Sequence, residues 1–338
     1  MINLGNITYD EKGYPIYDTL LDEYYPFTFI FGARGTGKTF PVIEHLLKNG
    51  NFIYMRRTDG EREACAIPEL NPFMPNNIEK GHNISFSKTK GNKYTFNILD
   101  GDCEKGIAVS LSAIHNIRGI NFTNFDTCFY DECVPQANVR AMKGEQVALG
   151  NAFETMNRNR ELNGRKPIQV ICCGNSDNLD AEIIKLFGLS DFLYEMRYKG
   201  IEVADIGDGK RIIFLINSPI AEKKENTSLY RAVTNSCFSD VAIKNKFPQE
   251  IYYEFIKKCN LVEYKLICST PMFRIFKHKS NGNYYFTEAK NGKYDFDLNE
   301  KDIKIFYAKY LYLRNLFDKN KIFFEKYSIL SDFREIFY

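Results

Sequence analysis

The sequence predicts an α/β fold with a parallel central sheet, followed by a linker or lid and a smaller α+β C-terminal domain. Three observations lead there. Through the first 175 residues, short apolar runs alternate with helix-patterned segments. A glycine-rich turn joins the first strong strand to the first strong helix. After about residue 200 the alternation gives way to a polar stretch and then to short aromatic strands and a helix. Strands separated by helices imply parallel pairing, because each crossover returns the chain to the same edge of the sheet. The expected divisions are 1–200, 201–250 and 251–338, in keeping with roughly 100–200 residues per domain for a chain of 338.

The elements follow in order. Phe27 to Phe31 is an apolar run bounded by Pro26 and Gly32, and reads as a buried strand. Thr39 to Lys48 reads as a helix with Val42, Ile43, Leu46 and Leu47 on one face, and Pro41 falls in its first turn, where a missing N–H costs little. Phe52 to Met55 is a second strand. Residues 83–99 alternate around Lys90-Gly91-Asn92 and read as a hairpin. Phe125 to Tyr130 and Ile168 to Cys172 are two more buried strands, separated by an amphipathic helix over 145–156 that carries Leu149, Ala152, Phe153 and Met156. Asp205 to Gly209 is a turn, and 221–250 is the polar lid or linker. Tyr264 to Cys268, Phe273 to His278 and Tyr284 to Thr287 are strands, and Ile303, Phe306, Tyr310, Leu313 and Phe317 share one face of a helix.

Composition excludes several classes. Lys plus Arg is 45 and Asp plus Glu is 43, a net charge of +2, far from the lopsided charge of a small basic DNA-binding module. The charge is divided: residues 251–338 hold 16 basic and 11 acidic side chains, and residues 1–250 hold 29 and 32. No run approaches the ~18 apolar residues of a spanning helix. Met1 to Asp10 lacks the pattern of a signal peptide, so no membrane association is expected. Nine scattered cysteines with no C-x-x-C pair read as reduced thiols, and four isolated histidines add nothing toward a metal.

Gly32-Ala-Arg-Gly-Thr-Gly-Lys-Thr39 matches G-x-x-x-x-G-K-[ST] in full, between a strand and a helix, which is the context that motif requires. Gly35 and Gly37 let the backbone curl so that Gly32, Ala33, Arg34, Gly35, Thr36 and Gly37 face their N–H groups toward a phosphate. The helix that follows points its N-terminal dipole at the same anion. Lys38 reaches the outer phosphates of ATP, and the Thr39 hydroxyl ligates Mg²⁺. The second half of such a site is an acid ending a buried strand, which Asp131 supplies for the metal. Glu132 follows directly, where a carboxylate orients the attacking water and favours hydrolysis. The strand ending at Asn175 is expected between the other two, its polar tip sensing the terminal phosphate or the water; the plain alternative is an Asn capping a turn before Ser176-Asp177.

The arginines stay open between readings. Arg158 and Arg160 either complement a helix C-terminus or are aimed at a neighbouring subunit's nucleotide. Arg56-Arg57 reads as a solvated pair or as a contact to DNA or a neighbour, and Arg118 as a turn or nucleotide-sensing residue. A GTPase switch would need [NT]-K-x-D after a strand; Gly174-Asn-Ser-Asp-Asn178 has no lysine.

Phe31 to Thr39, Phe52-Ile-Tyr-Met-Arg-Arg57, Phe129-Tyr-Asp-Glu132, Asn157-Arg-Asn-Arg-Glu161 and Val170-Ile-Cys-Cys-Gly-Asn-Ser176 occur in an order and spacing that resembles the DNA-packaging ATPases of phi29-like tailed phages, small relatives of the large terminases. The likeness covers roughly 20–180 and continues through Thr227 to Val233 and Val241 to Phe247. It implies an ASCE P-loop ATPase domain, a linker, and a C-terminal domain with a degenerate RNase H-like fold. It implies a homomeric ring, a pentamer in that family, on the portal or connector of an empty procapsid in the host cytoplasm, driving double-stranded DNA inward with ATP and Mg²⁺. Lys38 and Thr39 fall on the Walker A positions, Asp131 and Glu132 on Walker B with the catalytic Glu, and Arg158 on the arginine finger, with Arg160 its neighbour. Thr58-Asp59-Gly60 stands where relatives can carry a lysine. The other reading kept open is an ASCE translocase or helicase-like ATPase not tied to capsids.

Large terminases also cut DNA with clustered carboxylates. Here Glu263, Glu288, Asp295, Asp297 and Asp302 are scattered through the C-terminal region, so nuclease activity is not expected. The basic excess of 251–338 suits a phosphate backbone, that of DNA or of a structural RNA.

Overall fold

The computed structural model describes residues 1–136, 139, 142–233 and 247–338, so of the stretch Val241 to Phe247 only Phe247 is covered. The chain divides into two compact units, Met1–Pro248 and Gln249–Tyr338. Among the described residues no helix is long and apolar enough to cross a membrane, and eight cysteines are free thiols.

The first unit is built on one sheet of ten strands: β1 (Ile2–Gly5), β2 (Phe27–Gly32), β3 (Phe52–Arg56), β4 (Ile84–Lys88), β5 (Phe96–Asp100), β6 (Cys103–Ser110), β7 (Thr127–Tyr130), β8 (Gln169–Asn175), β9 (Val203–Gly207) and β10 (Lys210–Leu215). Their spatial order is β1-β9-β10-β2-β8-β7-β3-β6-β5-β4. The six central strands, β10 through β6, are parallel throughout. Two antiparallel strands extend each flank. The central strands are apolar runs because helices cover both faces of a parallel sheet: Phe29, Ile30, Phe31, Ile53, Tyr54, Phe129 and Ile171 are fully buried.

As the sequence implies, β8 lies between β2 and β7. The helix expected from Thr39 runs Thr39–Asn49 and buries Val42, Ile43, Leu46 and Leu47. The helix expected over 145–156 runs Glu145–Asn157. The hairpin over 83–99 is β4 paired with β5.

Two expectations are corrected. The expected lid or linker, 201–250, divides: Val203–Gly207 and Lys210–Leu215 are strands of the main sheet, and β10 lies against β2 along its whole length. The expected turn at Asp205–Gly209 is the tip of that hairpin, and its first residues belong to β9. Arg211 in mid-strand obscures the apolar run that follows it, yet its guanidinium is wholly buried, reaching Glu23 and Thr28 and lying over the Tyr25 ring. The second correction is Arg56-Arg57, which is not a solvated pair. Arg57 is 5% exposed and grips Glu145 through two hydrogen bonds, Nε–Oε1 at 2.9 Å and Nη2–Oε2 at 2.8 Å. This pair clamps the start of the helix Glu145–Asn157 to the end of β3.

The second unit carries a four-stranded sheet, β11 (Tyr264–Ser269), β12 (Phe273–His278), β13 (Tyr284–Glu288) and β14 (Ile322–Phe324), in that order. Its first three strands are antiparallel, and β14 joins parallel to β13 after a helical crossover. The single helix expected from Ile303 to Phe317 is two, Asp302–Tyr310 and Tyr312–Asp318, but Phe306, Tyr310, Leu313 and Phe317 still face the core. Rings fill that core: Phe286, Phe324, Phe317 and Phe333 pair at 5.2–5.9 Å between centroids, each such pair adding about 0.5–1.5 kcal/mol beyond its area.

Removing one member of a buried ion pair strands the other, at a cost of about 3–5 kcal/mol. Glu145→Ala should therefore lower unfolding stability by about that amount in a denaturant titration; a loss under about 1 kcal/mol would deny the clamp its role.

Candidate functional site

In a parallel sheet, ligands bind beyond the carboxyl ends of the strands. Here the register brings four such ends level. Gly32 of β2 pairs with Asn175 of β8, Tyr130 of β7 with Cys172 of β8, and Met55 of β3 with Tyr130. The glycine loop, Asn175, Asp131-Glu132 and Arg56 therefore stand in a row along one edge. The loop, Asn175, Asp131 and Glu132 border a cavity of about 650 Å³, which Arg57 also lines.

Gly35 and Gly37 have φ of +66° and +81°, the left-handed region that side chains avoid. At Gly37 a Cβ would also meet Tyr14 Cδ1 at 2.5 Å. Lys38 is 7% exposed and folds back under the loop. Its Nζ donates to Gly32 O at 3.1 Å, Ala33 O at 2.7 Å and Asn175 Oδ1 at 2.9 Å. Burial pushes its pKa down to about 8, and Lys224 adds to that drop against the pull of Asp131 and Asp177. The Asn175 side chain is thus a partner of Lys38, a role neither sequence reading foresaw.

Thr39 opens the helix, and its hydroxyl donates to Asp131 Oδ1 at 3.0 Å. Asp131 is 3% exposed, and burial raises its pKa. Its Oδ2 accepts from Tyr54 Oη at 2.9 Å and from Arg56 Nη1 at 3.2 Å. The other nitrogen of the same guanidinium, Nη2, donates to Glu132 Oε2 at 2.8 Å. The Glu132 side chain is 62% exposed, and its backbone has φ +53°. Tyr54 and Arg56 belong to this site and were missed as members of it. They lie two residues apart on β3, so their side chains share one face of the sheet.

Arg158 is exposed and also has a left-handed φ, +45°. Six described non-glycine residues share that conformation, and three are Asn or Asp, which tolerate it. Glu132 and Arg158 are two of the remaining three. The third is Leu298, and such a conformation costs about 1–3 kcal/mol. Arg158 Nη2 donates to the carbonyls of Arg118 and Ile120. Arg160 is buried and pairs with Asp126 at 2.7 Å. Asp126 precedes β7 and Asp131 follows it, so these arginines sit at the opposite strand ends, roughly 17 Å from the glycine loop's edge at ~3.3 Å per residue.

In the second unit the acids considered for a nuclease are dispersed. Glu263 faces His278, Glu288 faces Lys326, and Asp295 accepts from Ser269. Among the described residues no three His, Cys, Asp or Glu side chains converge to hold a metal ion.

A parallel sheet that sets a glycine loop, its lysine and a strand-ending acid along one edge is the build of a P-loop α/β protein. Comparison with known proteins takes this to a family. The chain belongs to the podovirus DNA encapsidation protein (Gp16) family, whose model matches residues 13–305. It is similar to a DNA packaging protein of Bacillus phage B103, 26% identical over 239 residues. That match takes in 68% of this chain and spans 65% of the relative's length. Two solved structures share the fold. A chain of the bacteriophage Phi-29 viral genome packaging motor assembly matches with a TM-score of 0.64 at 19% identity, over 96% of this chain and 98% of that one. A chain of the Phi-28 gp11 DNA packaging motor matches at 0.58 and 16% identity, over 94% and 95%.

A lysine whose pKa falls on folding makes the unfolded chain the better proton binder between about 8 and its ordinary value near 10.5. Its charged form opposes folding below that window, and stability rises with pH through it. Lys38→Met should remove this rise, so the parent should gain stability relative to the variant as pH goes from about 8 to about 10. A difference constant with pH would mean that Lys38 is not held at a cost.

Proposed function

We propose that this chain is the ATP-hydrolysing subunit of a motor that drives double-stranded viral DNA into a preformed capsid, working as a homomeric ring on the capsid's portal in the host cytoplasm. The observation that carries the reading is the Thr39–Asp131 hydrogen bond beside buried Lys38. It brings a hydroxyl and a carboxylate, both hard oxygen donors, together next to a glycine loop of the phosphate-binding pattern. Family membership and the packaging proteins it resembles support the same assignment.

Thr39 and Asp131 are the residues that would hold Mg²⁺, and the donor set suits it. Bound there, Mg²⁺ neutralises charge on the phosphate oxygens. The backbone of Gly32 to Gly37 binds the phosphates, and Lys38 leaves its carbonyl partners for them. Glu132 orients water for in-line attack. Arg56 holds that carboxylate and Asp131 at once, so releasing the Arg56–Glu132 bond arms the base. Arg158, at the far strand ends of its own subunit, serves as the finger for a neighbour's nucleotide.

The second unit supplies the broad nucleic-acid contact. Lys265 and Lys277 stand directly opposite each other across β11 and β12, both exposed. Like charges so placed repel unless an anion lies between them. A DNA backbone fits there, and a structural RNA offers the same chemistry.

Glu132→Gln should bind ATP normally and lose turnover by roughly two to four orders of magnitude; steady-state hydrolysis near the parent rate would remove Glu132 from this role. Lys38→Ala and Arg158→Ala subunits, each inactive alone, should regain ATPase activity when mixed; no recovery at any ratio counts against a finger supplied in trans. Lys265→Ala with Lys277→Ala should lower DNA affinity and reduce the slope of log affinity against log salt by about two. An unchanged slope would place the backbone contact elsewhere.

A further inference from the structure

The glycine loop has a second lysine that no sequence motif marks. Lys224 lies on the helix Pro219–Glu225, which follows β10. Its Nζ donates to Arg34 O at 2.6 Å. The approach is close enough that a Cβ at Gly35 would stand 2.2 Å from that nitrogen. Glycine at 35 therefore does two things, since it supplies the left-handed turn and makes room for the ammonium.

The helix is held over the loop by more than this bond. Lys223 donates to Lys12 O at 3.1 Å. Gly13 lies under Pro219 and Ile220, with room for a Cβ only 3.1 Å from Ile220. Ile220 and Tyr14 both border the cavity, so helix and N-terminal segment form one rim of it.

The charges around this rim are mixed, with Asp177 acting on both Arg34 and Lys38 and Asp131 on Lys38. Arg34, Lys38 and Lys224 gather at one loop, and among the described residues no carboxylate pairs with Lys224. Burial lowers the pKa of Lys224, and Arg34 lowers it further. A lysine ammonium has three donors, and a lone carbonyl engages one. Crowded cations in a partly buried rim are relieved by an anion bound among them.

We infer that Lys224 is a third cationic ligand of the nucleotide, supplied by the same subunit, that leaves Arg34 O to bind the terminal phosphate. This assignment rests on the nucleotide-binding reading of the site above and deepens it. Lys38 comes from beneath the loop and Lys224 from the rim, so the two reach the phosphates from opposite sides. The contact is made to the group that hydrolysis removes, and it ties the helix after β10 to the state of the nucleotide.

The test uses the full chain with Mg²⁺, measuring displacement of a fluorescent ADP analogue by ATPγS and by ADP. Lys224→Met keeps the stem and removes the charge, and Lys224→Arg keeps the charge. Lys224→Met should weaken ATPγS binding roughly tenfold, as for a lost charged hydrogen bond, while changing ADP binding by less than about threefold. Lys224→Arg should restore most of the difference. If Lys224→Met weakens ATPγS and ADP equally, or also lowers the melting temperature, the lysine is only a strut and the inference fails. Lys38→Ala is run alongside. Loss of both ligands in Lys38→Ala with Lys224→Met unchanged overturns the Lys224 assignment alone. A parent chain that binds neither ligand, or a Lys38→Ala variant that binds both as the parent does, overturns the nucleotide reading and this inference with it.

Discussion

A buried carboxylate organises the first unit. Asp131 is almost completely removed from water, which raises its pKa and makes its charge costly unless donors surround it. The donors come from separate parts of the chain. Thr39 arrives on the helix after β2, and Tyr54 and Arg56 arrive on β3. They meet only because β2, β8, β7 and β3 pair in one register, and a slip of one residue would turn every one of these side chains to the other face.

The same guanidinium that neutralises Asp131 also holds Glu132. Structure and chemistry are joined at that point. Asp131 is buried and needs this compensation, whereas the exposed Glu132 can leave it; under the proposed function that release would free its carboxylate for water. Because Glu132 is exposed, its bond to Arg56 is the weaker and more salt-sensitive of the two. Arg57, the next residue, lines the cavity, but its guanidinium is held by Glu145 and clamps a helix. The two adjacent arginines thus serve different acids, Arg56 pairing with Asp131 and Glu132 and Arg57 with Glu145.

Much of this was readable in advance. The strands at Phe27, Phe52, Phe125 and Ile168 are apolar because both faces of a parallel sheet are covered, and a run of that kind is visible without a partner. The glycine loop is visible because glycine takes those backbone angles without strain and a lysine follows it at the spacing the motif requires. β6 and β10 were not readable in the same way. Cys103 and Glu104 begin β6 exposed, with Lys105 half-buried after them, and Arg211 sits inside β10, its charge met by Glu23 and Tyr25 from elsewhere in the chain. A buried charge looks like a surface charge until its partner is known. The same limit made Arg56 and Arg57 look solvated.

The sequence by itself determined the strand–loop–helix with its glycine turn and lysine, the acid pair on a second strand, the polar strand end between them and the aromatic second unit. Each is a local property of side-chain pattern or backbone freedom. Tertiary structure alone decided that Arg56 bridges both acids, that Asn175 holds Lys38, that Arg158 is exposed while Arg160 is consumed by Asp126, and that Lys224 reaches the loop from 190 residues downstream. Those are electrostatic pairings between distant segments. Their strength depends on burial and on distances of about 3 Å, which exist only once the sheet has brought its strand ends level.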